Sequence, residues 1–202
     1  MAALGHDRFA VAGHDRGARV AYRMALDHPS AVTRLAVLDI VPTKALYDAT
    51  DRVIADAYFH WFMLTKPSPI PEALIGGAPD VWLDMCFGRW AGSAGAFTAE
   101  ARAEYRRGFA NAEGIHATCE DYRAGATVDV ADDAAALAAG TKIAAPVLVL
   151  WGERGLVGAR FDPLKIWRDY ATDVRGHALP CGHFLPEEAP DGTLAALLDF
   201  FG

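Results

Sequence analysis

The segment Gly13-His14-Asp15-Arg16-Gly17 sets one acid between two glycines, just after the apolar run Phe9-Ala10-Val11-Ala12 and just before the helical pattern Val20 to Leu26. A residue on a sharp strand-to-helix turn is held clear of its neighbours. Flanking glycines let that turn form and let the helix pack close. In the Gly-x-Ser-x-Gly version of the turn the centre is serine; here it is Asp15. A carboxylate attacks without first losing a proton, which suits displacement of a leaving group at an sp³ carbon and leaves an ester on the protein. The chain has three serines, Ser30, Ser68 and Ser93, and none follows a strand in a tight turn. The competing reading is an ordinary βα turn in which Asp15 only caps the helix.

An ester must then be hydrolysed by water, and water needs a base. His183, in Pro180-Cys181-Gly182-His183-Phe184, stands after the last strand, at the sheet end where ligands bind in α/β folds. The alternative is a satisfied loop histidine. An acid to orient it can come from two places. After Trp151-Gly152-Glu153-Arg154 the expected position holds Gly155, whereas Asp39 ends the apolar strand Leu35-Ala36-Val37-Leu38. An acid ending such a strand is costly unless partnered. Asp39 is the choice; Asp162 and Glu153 are weaker candidates.

Arg16 and Arg19 share a face on the first turn of the helix, where positive charge opposes the macrodipole by about 0.3–1 kcal/mol each. Beside a nucleophile they point to an anion, and arginine's planar fork matches a carboxylate. The alternative is two solvated surface arginines.

The elements that must position these residues begin with Met1 to His6, which reads as the end of a helix with Gly5 past its last turn. Strand, tight turn, helix and strand then follow within about 30 residues, a βαβ unit and hence a parallel sheet. From Pro42 to about Lys142 the pattern is helical, over 45–64, 80–91, 98–110, 112–124 and 132–139, with a proline-rich connection over 65–71. Strand logic returns over 146–152, followed by a helix over 162–170, a strand near 177–180 and a last helix over 187–201. The expected fold class is α/β, a parallel sheet interrupted by a long helical insertion. Residues 1–42 and 143–202 form the core and 43–142 a lid, since a structureless loop of that length would be improbable.

Composition bounds the partners. The 202 residues carry a net charge of −7, with 52% hydrophobic and 22% charged residues, an ordinary globular balance that argues against a nucleic-acid surface. Cys86, Cys119 and Cys181 are an odd number without CxxC spacing, which fits reduced thiols. No apolar stretch reaches the roughly 18 residues that span a bilayer, so the expectation is a soluble, cytoplasmic protein. The seven histidines show no HxxxH spacing, and neither metal nor cofactor is implied.

Taken together, Gly13-His14-Asp15-Arg16-Gly17-Ala18-Arg19, Asp39, His60-Trp61, Tyr122 and His183 resemble, in order over nearly the whole chain, the fluoroacetate (haloacetate) dehalogenases of the α/β-hydrolase superfamily. The resemblance implies that Asp15 attacks the α-carbon of a small halogenated carboxylate, that His183 with Asp39 activates water against the ester, and that Arg16 and Arg19 hold the substrate carboxylate. It further implies that His60, Trp61 and Tyr122 donate hydrogen bonds to the departing halide, and that a homodimer is common. By spacing alone, His60-Trp61 reads equally well as aromatic packing of a helix. Epoxide hydrolysis, with Tyr58, Tyr105 or Tyr122 as proton donors, is the alternative chemistry; an inactive fragment or ligand-binding module is the alternative class. Members of the wider fold begin with further strands and a loop that supplies an oxyanion-hole N–H, and nothing here matches them. The expectation is therefore a chain whose first strands are missing.

Overall fold

The computed structural model describes residues 1–202. After a turn of 3₁₀ helix, Ala2–Leu4, closed by Gly5 in the left-handed region, β1 (Phe9–His14) leads into α1 (Arg16–Asp27) and β2 (Val32–Leu38). The insertion runs through α2 (Thr43–Asp48), α3 (Arg52–Ala57), α4 (His60–Met63), α5 (Ile70–Gly77), α6 (Pro79–Trp90), α7 (Ala99–Gly108), α8 (Ala112–Ala124) and α9 (Val130–Ala138), with a π turn at Gly125–Asp129. Then come β3 (Val147–Gly152), α10 (Leu156–Arg160), α11 (Pro163–Tyr170), β4 (Val174–Leu179), α12 (Leu185–Glu188) and α13 (Pro190–Phe201). No helix is long and apolar enough to cross a membrane.

The four strands form one parallel sheet in the order β1-β2-β3-β4. β2 and β3 are interior, so both of their faces are covered, and β3 and the Leu35-Ala36-Val37-Leu38 part of β2 read as unbroken apolar runs. The period of two divides β2: Leu35 and Val37 face α1 and α11, where Trp167 and Tyr170 lie. Ala36 and Leu38 face α13 and Phe200. On α1 the buried Ala18, Ala21, Tyr22, Ala25 and Leu26 form one stripe against the sheet. The insertion packs a cluster of its own, in which Leu46, Trp61, Leu64, Ile75, Ile115 and Tyr122 meet Val41 and Val157.

Local polar groups moved several boundaries from where periodicity set them. The helix expected over 45–64 is three short ones. Asp51 turns its carboxylate onto Ile54 N–H (2.9 Å) and restarts the chain as α3, and a second break at Tyr58 turns His60 and Trp61 inward. The helix expected over 187–201 is also split. Pro190 lacks an N–H and so opens α13, leaving Glu188 at the end of a separate turn, α12. α5 and α10 were not anticipated, because both are short and lie beside prolines or glycines.

The two glycines of the turn are not equivalent. A Cβ on Gly13 would lie 2.5 Å from the Gly17 carbonyl oxygen and 2.6 Å from Ala18 Cα, whereas a Cβ on Gly17 meets nothing within 4 Å. Only Gly13 lets α1 close on the strand. Gly13→Ala is expected to destabilise by about 1–3 kcal/mol through overpacking. Gly17→Ala is expected to stabilise by about 0.5–1 kcal/mol through helix propensity. Thermal unfolding of the two variants side by side checks the pair of signs.

Candidate active site

Asp15 sits at the junction of β1 and α1 with φ 49° and ψ −121°, a backbone conformation that L residues rarely adopt. It occupies the N-cap position, yet its side chain accepts no hydrogen bond from the helix. A capping role would require that bond, so the capping reading fails. The carboxylate is turned instead toward His183, with Oδ2 3.6 Å from Nε2.

His183 Nδ1–H donates to Asp39 Oδ2 at 2.7 Å; a carboxylate only accepts, so the proton belongs to that nitrogen. Asp39, fully buried, also has positive φ (52°), and its other oxygen accepts from Gly152 N–H at 2.9 Å. Gly155 stands beside it: a Cβ there would lie 3.5 Å from the Asp39 carboxylate. The two candidate positions for the orienting acid thus converge on one point, and glycine at 155 leaves it to Asp39. The weaker candidates are elsewhere engaged. Asp162 caps α11 through Lys165 N–H at 3.1 Å, and Glu153 is exposed.

Burial alone would lower the His183 pKa, but the hydrogen bond to Asp39 and the negative charges of Asp15 and Asp39 outweigh it and push the imidazole up to about 10. Asp15 responds oppositely. Burial would raise its pKa, yet the close contact with His183 and the charges of His183, His14 and Arg19 hold it far below the usual carboxylate range. Because the folded His183 pKa lies above its ordinary 6.5, the contribution of the imidazole to stability is fully present below pH 6.5 and is lost as the pH rises through about 10. Melting temperature should therefore fall across that interval in the wild-type chain. The corresponding component should be absent from His183→Gln, as a pH series of melting curves on both proteins measures.

A cavity of about 10 Å³, room for one water-sized group, adjoins the Asp15 carboxylate and is lined by Asp15, Arg19, Asp39, Tyr58, His60, Trp61, Trp90 and His183. A second, wider cleft of about 280 Å³ shares Tyr58, Trp90 and His183 with it. The eight residues proposed from sequence divide accordingly. Asp15, Asp39, His183, Arg19, His60 and Trp61 meet at the cavity. Arg16 and Tyr122 stand behind its wall, the guanidinium 4.5 Å from the Tyr122 ring centre.

The arginines differ in the same way. Arg16 is paired with the Asp121 side chain and donates to the Asp121 carbonyl at 2.8 Å. Arg19 is buried and has no carboxylate within ion-pair distance. Its Nη1 donates to Val41 O and Thr43 Oγ1, both at 3.1 Å, its Nε has no partner, and its guanidinium lies 4.4 Å from the Trp61 ring centre. The Thr43 hydroxyl in turn donates to the Tyr22 oxygen at 3.0 Å, and Tyr22 gives its one proton to the buried Asp133 on α9 at 2.9 Å, so one buried chain of bonds fixes Arg19 against the insertion.

On the opposite wall His60 is buried with Nδ1 unpartnered; burial pulls its pKa down to about 3, so the ring is neutral at ordinary pH. Trp90 Nε1 is likewise buried without a partner. Sequence reading passed over Trp90 and His14. Trp90 ends a helix with no spacing signal. His14 donates from Nε2 to the His183 carbonyl at 2.8 Å, a contact between residues 169 positions apart. Of the tyrosines considered for epoxide chemistry, Tyr58 lines the cavity, whereas Tyr105 bonds Glu187 away from it.

An acid on a strained strand-to-helix turn, a histidine after the last strand and a second acid ending the neighbouring strand are the marks of one family. The sequence model of the alpha/beta hydrolase fold matches residues 1–190, and the chain belongs to that family. Within it the chain is fluoroacetate dehalogenase-like. A fluoroacetate dehalogenase from Burkholderia sp. is 42% identical over 201 residues, which cover 99% of this chain and 66% of that protein. A soluble epoxide hydrolase from Corynebacterium sp. (strain C12) is 31% identical, over 98% of this chain and 68% of its own length. Among solved structures, an alpha/beta hydrolase from Nostoc sp. PCC 7120 superposes with a TM-score of 0.96 at 52% identity, over 99% of this chain and 68% of that one. The chain thus spans about two thirds of the length of these relatives.

Proposed function

We propose that this protein hydrolyses the carbon–halogen bond of a small haloacid, with fluoroacetate the leading substrate, through an ester on Asp15. One observation carries the reading: an uncapped carboxylate on a strained turn, beside a His–Asp pair, faces a buried arginine that has no acidic partner. In the first step an Asp15 oxygen forms a bond to the α-carbon and the carbon–halogen bond breaks, its electron pair leaving with the halide. Arg19, with Arg16 behind it, holds the substrate carboxylate. His60 and Trp61, with Tyr122 behind them, are the donors for the halide, whose charge develops away from bulk water. The helices over 43–142 act as the lid that excludes that water.

Esterification removes the negative charge of Asp15, one of the two that hold His183 protonated. The imidazole then gives up its Nε2 proton and becomes the base the second step needs. It takes a proton from water, the hydroxide attacks Asp15 Cγ, and the tetrahedral intermediate collapses. The hydroxy acid leaves with the proton returned from His183, and Asp15 is restored. The net reaction converts haloacetate and water to glycolate, halide and a proton.

Single turnover in oxygen-18 water tests the ester directly, because the heavy oxygen must enter the Asp15 carboxylate. An unlabelled Asp15 after halide release would overturn the mechanism. No halide from fluoroacetate or chloroacetate with folded protein would overturn the reaction. Epoxide hydrolysis is the second reading, favoured by Tyr58 on the cavity wall and by the similarity to the Corynebacterium enzyme. Diol formation from a neutral epoxide without halide release would put it first, but a neutral epoxide leaves Arg19 unmatched.

A further inference from the structure

The carboxylate of Glu188 makes an unusual set of contacts for a side chain outside the cavity. Oε2 accepts from Gly182 N–H at 3.0 Å and Oε1 from Phe184 N–H at 3.1 Å, the residues on either side of His183. Oε2 also accepts from Gly92 N–H at 2.7 Å and from the Ser93 hydroxyl at 3.2 Å, both in the chain that leaves α6. His183 N–H itself donates to the Trp90 carbonyl at 2.9 Å. Three consecutive backbone donors of the histidine loop are thus held, two by one carboxylate and one by the insertion. The two segments touch backbone to backbone: a Cβ on Gly182 would lie 2.2 Å from Gly92 N, and one on Gly92 2.6 Å from Gly182 N. Paired backbone N–H groups of this kind form a site for an anion, and here the anion is built in.

We propose that Glu188 is a positioning residue. It fixes the backbone of the His183 loop and fastens that loop to the Trp90 end of α6, so that Nε2 is aimed at Asp15 while Nδ1–H stays on Asp39. This inference rests on the reading of His183 as the base of the second step. It separates the two halves of the reaction, because attack by Asp15 needs no base whereas hydrolysis of its ester does. Loss of Glu188 should slow ester hydrolysis by roughly 10–100-fold, the effect of a catalytic group displaced by about an ångström. The first step should be spared.

The test compares Glu188→Ala and the isosteric Glu188→Gln with the wild-type chain. The first readout is the downfield proton resonance of His183 Nδ1–H, assigned by its disappearance in His183→Gln. It should shift or exchange rapidly in Glu188→Ala and move less in Glu188→Gln, which keeps one acceptor oxygen. The second is rapid-quench halide release from chloroacetate, expected to show a burst of about one halide per chain followed by a slowed steady state. An unmoved resonance in both variants overturns the proposal, as does equal slowing of burst and steady state. If the wild-type chain releases no halide, the dehalogenase reading fails by itself. The resonance still decides whether Glu188 sets the histidine.

Discussion

Replacing His183 by glutamine should confine halide release to about one equivalent per protein and lower the steady-state rate by roughly 10²–10⁴-fold, the usual contribution of a positioned base. In the proposed mechanism the first displacement uses only the Asp15 carboxylate, which in the variant loses the charge of His183 but keeps those of His14 and Arg19 to favour its ionised form. The second needs a nitrogen lone pair aimed at water beside the ester, and Nε2, 3.6 Å from Asp15 Oδ2, is the group so placed. Intact mass measurement after mixing with chloroacetate should therefore find the chain heavier by the carboxymethyl group in His183→Gln and not in wild type. Steady turnover by the variant at the wild-type rate would remove His183 from the mechanism. Loss of the burst along with the steady state would place its action before the ester instead.

Arg19→Met is expected to have opposite effects on activity and stability. Truncating a charged group that binds a substrate carboxylate loses about 2–5 kcal/mol of transition-state binding, or roughly a 30- to 5,000-fold fall in kcat/KM. The folded chain loses less. Methionine leaves the Val41 carbonyl unpaired, about 1–3 kcal/mol, while the Thr43 hydroxyl keeps the bond it donates to Tyr22. Against this, it removes a buried cation with no carboxylate partner, whose desolvation amounts to several kcal/mol. That desolvation is also what draws the Arg19 pKa below its ordinary value, with the charge of Arg16 acting in the same direction. The charge is the larger quantity, so the melting temperature should hold or rise while activity collapses. A large fall in melting temperature would mean that Arg19 is held for structure and not for an anion. A saturating small carboxylate should raise the melting temperature of the wild-type chain and not that of the variant.

The βαβ opening was legible because its signals are local. Phe9 to Ala12 and Leu35 to Leu38 are apolar runs of strand length, and the stripe from Ala18 to Leu26 repeats at helical spacing. That a helical insertion interrupts the sheet was legible, but helix boundaries were not. The break at Asp51 within the insertion and the one at Pro190 beyond it depend on a single side-chain bond and a single missing N–H, which average periodicity does not register. Asp39 was chosen on the cost of an unpartnered acid ending a buried strand, and its bond to His183 accounts for it. The room that Gly155 leaves beside it is a tertiary property, since the two residues are brought together only by the pairing of β2 with β3.

Asp15, Arg16 and Arg19 lie within five residues of one another, and the sequence by itself determined that a carboxylate and two guanidiniums share one turn. Chain connectivity enforces that proximity whatever the rest of the fold does. What the sequence could not determine is which of these groups is free. Tertiary structure decided that Asp15 is uncapped, that Arg16 is paired with Asp121 and that Arg19 is buried without an acid. It also set Trp90, His14 and Glu188 around His183. The reason is physical: residue type establishes what a group can donate or accept, but its remaining capacity depends on partners that arrive from distant parts of the chain.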